Sequence, residues 1–293
     1  MPLPMQEKSG RHRTLWHDAW HRFFRNRLAI FGLVIVGAFV GMAIFADLIA
    51  PFRYDKVDFT KVLLFPFRDP THILGTDEVG RDFLSRLIYG ARTSMIVGLS
   101  VQTVAVLIGV TLGGLGGYRG GAVDFVISRV IDVMTAFPGL LFAILLITVA
   151  GGGLNNVIFA LSVTSWIGIA RLTRGQILSL REKEYVEAAR CLGVPQRRII
   201  FGHLIPNTLS PLLVAVSFGI PAAIFGEAGL SFLGIGVNDP IASWGKMVGN
   251  SQAYITVYWH LGLFPTIMIA LSMLGFSFMG DGLRDALDPK LLE

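Results

Sequence analysis

Charge is scarce in this sequence. Of 293 residues only 15% are Asp, Glu, Lys or Arg, 53% are apolar or aromatic, and mean hydropathy is +0.62. A soluble domain carries about a quarter charged residues, because a water-facing surface needs them. The shortfall excludes a disordered chain and an ordinary soluble enzyme, and it points to an integral membrane protein. Cysteine is nearly absent. Cys191 stands alone, so no intramolecular disulfide can form and a disulfide-rich secreted module is excluded. Metal signatures are missing as well: there is no CxxC, no HExxH and no His pair at ligand spacing, and His12, His17 and His21 read as a solvated basic flank. The nearest approach to a Walker A motif, Gly245 with Lys246, lacks the upstream glycine and is followed by Met247. ATP binding by this chain is therefore not expected. No histidine lies well inside an apolar run, which excludes an intramembrane serine protease that would need one to activate its nucleophile. The net charge of +5 does not signal nucleic acid, because no basic stripe is interleaved with aromatics.

What the sequence has instead is long charge-free runs. A helix needs about 20 apolar residues to cross a bilayer, and six segments meet that length, near 28–49, 94–117, 127–149, 154–171, 208–230 and 259–280. The glycines at 151, 152 and 153 suit a tight hairpin between the third and fourth. The first run is too long for a signal-peptide core and no clean small-x-small cleavage site follows it, so it reads as an anchor. The tail 1–27, with Trp16, Trp20, Phe23 and Phe24 among His and Arg, reads as an amphipathic surface helix on membrane lipid or as a plain basic flank. No Asp, Glu, Lys or Arg falls at an expected mid-membrane position, which counts against an ion-coupled carrier. Glu227, near the end of the fifth run, is expected to be a paired structural acid. With the N-terminus inside, 17 of the 25 Lys and Arg lie in inner segments and 8 in outer ones, so both termini are expected to be cytoplasmic.

The longest polar stretch on that inner side is residues 172–206. Its sequence from 181, REKEYVEAARCLGVPQRRIIFGHLIP, opens with strong helix formers. Gly193 fits the left-handed position after a helix, and Pro195 fits the first turn of a second one. Two short angled helices would expose a knob of Ala188, Ala189 and Leu192, shaped to enter another protein's groove.

Glu187, Ala188 and Ala189, with Arg190, Leu192, Gly193 and then Pro206 at these offsets, resemble the EAA loop of ABC importer permeases, although His203 to Pro206 departs from the family's Ile-x-Leu-Pro ending at two positions. Further blocks narrow the resemblance to the C-type permease of the dipeptide, oligopeptide and nickel importers: His72 to Asp82 with Ser85, Arg86 and Gly90 to Arg92; Gly116 to Asp124; Asp132 to Pro138; Glu227 to Gly236 with Ser243 to Gly245; and Gly280 to Pro289. The resemblance covers nearly the whole chain from residue 20. It implies an all-α membrane protein of the type I importer permease fold, with six transmembrane helices over 28–293, an outer loop over 51–93 and a cytoplasmic coupling loop over 172–206. It further implies a bacterial inner-membrane subunit that moves peptides, with a second homologous permease, two ATPase subunits that hold ATP and Mg, and an extracytoplasmic peptide-binding protein. Nickel chelates or glutathione are the alternative cargoes; a stand-alone channel or carrier is the alternative class. Within the outer block, Asp77 is expected to cap a helix starting at Glu78 and to pair with Arg81 near Asp82. In the ending, Asp281, Arg284 and Asp285 share a helix turn, where Asp281 and Arg284 can pair. Ser217 and Gly219 on the fifth run are guesses for the translocation path. No catalytic, cofactor-binding or metal residue is expected.

Overall fold

The computed structural model describes residues 15–287. His12, and Asp288 and Pro289 of the terminal motif, lie outside the described residues, and of Trp16 and His17 only the backbone is described. Within them the chain is helical: α1 (Leu15–Arg25), α2 (Arg27–Ile44), α3 (Ala46–Ile49), α4 (Phe83–Arg119), α5 (Gly121–Ala136), α6 (Gly139–Ala150), α7 (Leu154–Leu180), α8 (Glu184–Cys191), α9 (Gln196–Ile199), α10 (Ile205–Phe232), α11 (Trp244–Ser251) and α12 (His260–Leu287). A π-helical segment, Ile200–Leu204, carries α9 into α10. Apolar runs of this length adopt helices because a lipid-facing backbone must bond to itself. Five helical stretches are long and apolar enough to cross a membrane, and the bent pair α5 and α6 makes a sixth.

The boundaries differ from the apolar runs in three places. Helix α4 begins at Phe83 rather than 94, so the outer loop ends at residue 82. Helix α7 continues to Leu180, which shortens the polar loop to residues 181–195. The third span is broken: α5 and α6 meet at 83°. The cause is local. Pro138 disfavours the helical region for its predecessor, and Phe137 is extended at φ −93, ψ 129. The longer helices also take in charges that the apolar runs had left outside, namely Arg86, Arg92 and Arg174, with Arg171 at the very end of its run.

The spans run alternately between two faces. One, the loop face, carries residues 45–82, the glycine hairpin at 151–153 and the segment 233–259 with α11. The other, the hairpin face, carries α8 and α9, both ends of the described chain and α1. Residues from α2, α4, α10, α11 and α12, among them Phe39, Phe83, Leu87, Trp244, Leu261 and Phe276, form one buried cluster toward the loop face. Small residues let the helices approach closely. A Cβ on Gly113 of α4 would stand 2.3 Å from the carbonyl oxygen of Ala170 on α7. On α1, Trp20 is exposed and contacts Phe24 at 4.8 Å between ring centroids, while Phe23 lies by Gly282 of α12.

Candidate functional site

At the hairpin face, α8 and α9 stand at the end of α7. Gly193 sits at φ +74, a left-handed conformation that an L side chain strains to adopt. The turn it makes closes with Gly193 N–H donating to Arg190 O (2.9 Å) and Val194 N–H donating to Ala189 O (3.0 Å). Pro195 is the residue before α9 rather than inside its first turn, and Pro206 opens α10. Val186 and Ala189 lie three residues apart on one side of α8. Both are buried with Ile177, Ile199 and Leu204 in a small core of the hairpin's own. This corrects the exposed knob: Ala189 is 8% exposed and faces inward, so the free surface is Ala188 and Leu192, the latter 83% exposed, among exposed Glu187 and Arg190.

One contact ties this hairpin to α4, and two more brace the end of α7 beside it. The Arg190 guanidinium lies 5.6 Å from the ring centre of Tyr118. Arg181 Nη1 donates to Gly117 O at 3.1 Å. Arg174 on α7 forms a two-pronged pair with Asp124 on α5, with Nη2 to Oδ2 at 2.6 Å. Helix α8 thus packs on α4 through Arg190 and on α7 through the shared core with Ile177, and α7 is in turn paired to α5.

The loop face is bonded far more densely. Asp77 starts no helix. Its Oδ1 instead accepts from the N–H of Val79 (3.0 Å) and Arg81 (2.8 Å) in a tight turn, and its Oδ2 pairs with Arg81 Nε (2.5 Å) and Arg86 Nε (3.3 Å). The cap expected of Asp77 belongs to Asp82, whose Oδ2 accepts from Ser85 N–H and Oγ at the start of α4. Asp82 Oδ1 lies 2.9 Å from His72 Nδ1. Arg81 reaches Asp239 (3.3 Å), which also pairs with Lys246 at 2.8 Å. Burial works against charge on Asp239, but Lys246 and Arg81 outweigh it and hold the carboxyl below the ordinary carboxylate range. Fully buried Arg86 donates to Tyr54 O and Pro240 O, so it joins the loop to the 233–243 segment. Asp239, shared by Arg81 and Lys246, and Asn250, which donates to Glu78 Oε1 at 2.8 Å, were not singled out from the sequence. The usable signal was Asp82 followed at once by the apolar Phe83 and Leu84, a helix start in its own right.

Glu227 is buried but not ion-paired, which corrects that expectation. Its Oε1 accepts from the hydroxyls of Ser231 and Ser243, each at 2.7 Å. Ser243 in turn caps α11, accepting from Lys246 N–H, and Ser231 accepts from Val237 N–H. Trp244 Nε1 donates to Leu87 O at 3.0 Å, so α11 is fastened to α4 and α10 alike.

Two other expectations are corrected. Ser217 is buried, with its hydroxyl donating to Leu213 O, and Gly219 packs on Gln102, where a Cβ would meet Oε1 at 2.1 Å. Both are internal contacts of this chain, not an open path. Asp281, Arg284 and Asp285 are exposed on α12, and Asp281 does not pair with Arg284. Gly282, on another side of this turn, is pressed against Ala29 of α2.

Comparison with known proteins is consistent with this architecture. Residues 105–293 match the family model described as "Binding-protein-dependent transport system inner membrane component", and residues 14–66 match "N-terminal TM domain of oligopeptide transport permease C". The oligopeptide transport system permease protein OppC of Bacillus subtilis (strain 168) is 43% identical over 95% of this chain and 90% of its own length. The dipeptide permease DppC of the same organism is 43% identical over 94% and 85%. The glutathione permease GsiD of Pectobacterium atrosepticum is more distant, at 38% over 95% and 92%. Among solved structures, the inward-facing MetNI methionine ABC transporter shares the fold, with a TM-score of 0.58 and 18% identity over 69% of this chain and 96% of that one.

Proposed function

The chain belongs to the binding-protein-dependent transport system inner membrane components and is the permease subunit of a peptide ABC importer in the inner membrane, and from that premise we propose how its two faces divide the work. The hairpin face is cytoplasmic, as the excess of Lys and Arg on that side supports. There Glu187, Ala188, Ala189, Arg190, Leu192 and Gly193 form the contact with an ATPase subunit, which holds the ATP and Mg. Ala189 takes part from within, by seating α8 on its core. The observation that carries this reading is Leu192: an apolar side chain left 83% exposed at the end of a helix whose opposite side is sealed against α7 and held to α4 by Arg190. The loop face is extracytoplasmic and offers a braced platform for a peptide-binding protein. A second permease of similar fold completes the path.

Work then proceeds by linkage. ATP favours the outward-open state only through contacts that differ between the states. Closure of the ATPase pair shifts α8, and the contacts of Arg190, Arg181 and Arg174 carry that shift into α4, α7 and α5. Extraction of the tagged chain in mild detergent, with the co-purifying chains identified by mass, tests the assembly. A second six-span permease and Walker-motif ATPases are expected. Recovery of the chain alone or as a homo-oligomer, with no ATPase after cross-linking, would overturn the reading in favour of a stand-alone channel.

A further inference from the structure

Charged side chains on a spanning helix must be sheltered by protein or wetted by water, because hydrocarbon accepts neither. On α4, Arg86 is sheltered completely, and Arg92 donates to the carbonyls of Ala43 and Ile44 and pairs with Asp47. A group on α5 and α7, away from the chain ends, is not sheltered. Arg129 and Asp132 on α5 and Arg171 on α7 have side chains 63%, 56% and 51% exposed. Arg171 Nη2 donates to Thr135 Oγ1 at 2.9 Å and lies 4.0 Å from Asp132 Oδ1, and Arg129 Nη1 lies 3.6 Å from Asp132 Oδ2. These pairs are loose, so most of the guanidinium donors and carboxylate lone pairs are free for another partner.

The position of the group is set by helix length. Helix α6 has 12 residues, so the break at Pro138 lies about 18 Å of helix from the glycine hairpin at the loop face. Arg171 lies 17 residues into α7, about 26 Å from the same hairpin. Both distances are shorter than a hydrocarbon layer of about 30 Å. Because α5 turns 83° from α6, its Arg129, Asp132 and Thr135 do not simply continue the span toward the hairpin face. The extended backbone at Phe137 is a second, independent constraint. Non-helical backbone at membrane depth is tolerated only where protein covers it or it lines a watery cavity. Phe137 is itself 55% exposed in this chain.

We propose that Arg129, Asp132, Thr135 and Arg171 form a wetted station of the solute path that takes the charged termini of a passing peptide, its carboxylate at the two arginines and its ammonium at Asp132. The cargo half of this inference rests on the peptide-import reading; the wetting half rests on exposure and depth alone. The station replaces Ser217 and Gly219 as this chain's contribution to the path.

The test uses the full complex in proteoliposomes, with Cys191→Ser as the background and its import of trialanine measured alongside. Asp132→Cys and Thr135→Cys are each treated with a hydrophilic maleimide, and Leu107→Cys, at an exposed apolar position of α4, serves as the lipid-facing control. Both station cysteines should react about tenfold or more faster than the control, since the reactive thiolate needs water. Station cysteines as slow as the control, in a complex that imports, would show the group covered by protein or lipid and overturn the station alone. An unsubstituted complex, Cys191 in place, that imports no trialanine would instead remove the cargo reading, whichever way the labelling falls. For the termini, Arg171→Gln should lower trialanine import by about tenfold, with a smaller loss for the trialanine amide. Equal losses for both, with delivery by the binding protein unchanged, would leave Arg171 a merely structural group and overturn the peptide contact.

Discussion

The two faces of this permease are built on opposite economies. At the loop face, Asp77, Arg81, Arg86, Asp239 and Lys246 pair with one another, and Glu227 Oε1 is met by two serine hydroxyls that are themselves engaged, while its Oε2 is left without a partner among the described residues. At the hairpin face, a core of five buried side chains holds α8 in place, and Glu187, Ala188 and Leu192 are left exposed, with no side-chain partner among the described residues. A surface whose charges are bonded mostly to one another can keep its shape through a cycle. A surface that leaves an apolar side chain exposed beside a charge is unfinished until something docks there. The rigid face is thus suited to receive, and the unfinished face to be driven.

That contrast can be broken from either side. The largest loss of function is expected at the hairpin, where it should come without loss of fold. Glu187→Lys, or Gly193→Pro, which forces φ near −65° where the chain needs +74°, should leave the protein in the membrane and lower peptide uptake by about 100-fold. Normal uptake with either change would remove the coupling role. At the loop face the expected effect is on stability. Asp77→Ala leaves buried Arg81 and Arg86 short of a counter-charge, at a cost of about 3–5 kcal/mol, read as a lower melting temperature of the purified complex. Asp82→Ala removes the cap of α4 and should cost about 1 kcal/mol in the same assay. The smallest effect concerns Asp69. The Lys61 ammonium, followed by Thr71, holds its carboxyl far below the ordinary carboxylate range. Since the folded value is depressed, the pair stabilises the loop above that range and its contribution is lost as pH falls through and below it. Asp69→Asn should therefore lower the melting temperature slightly at neutral pH and leave it unchanged in strong acid.

How much of this was legible in the sequence differs between the same two faces. The hairpin was readable because its determinants are local: helix formers from Glu184, a glycine needing positive φ, a proline to restart. Only the inward turn of Ala189 was missed, and the spacing from Val186 decides it. At the loop face the Asp77–Arg81 pair was legible from its four-residue spacing, but the bonds that join the loop to the later segment were not, because they link residues more than 150 apart, as in Arg81 with Asp239 and Arg86 with Pro240, and sequence spacing carries no trace of them. Span limits erred for a related reason. Charge-free runs mark where lipid lies, whereas α4 and α7 continue as helices into places where Asp77 or Asp124 awaits an arginine. The path residues were invisible for the converse reason. Ser217 and Gly219 look polar and small enough to line a channel, yet helix packing needs small residues as much as a channel does.

The most direct test of the account is a photo-cross-linking residue placed at Leu192 in the assembled complex, with the same residue at Phe59, 77% exposed on the loop face, as its counterpart. The account predicts an adduct with an ATPase subunit from position 192 and none from position 59. An ATPase adduct missing at 192, or formed equally from both, would contradict the division of labour between the two faces.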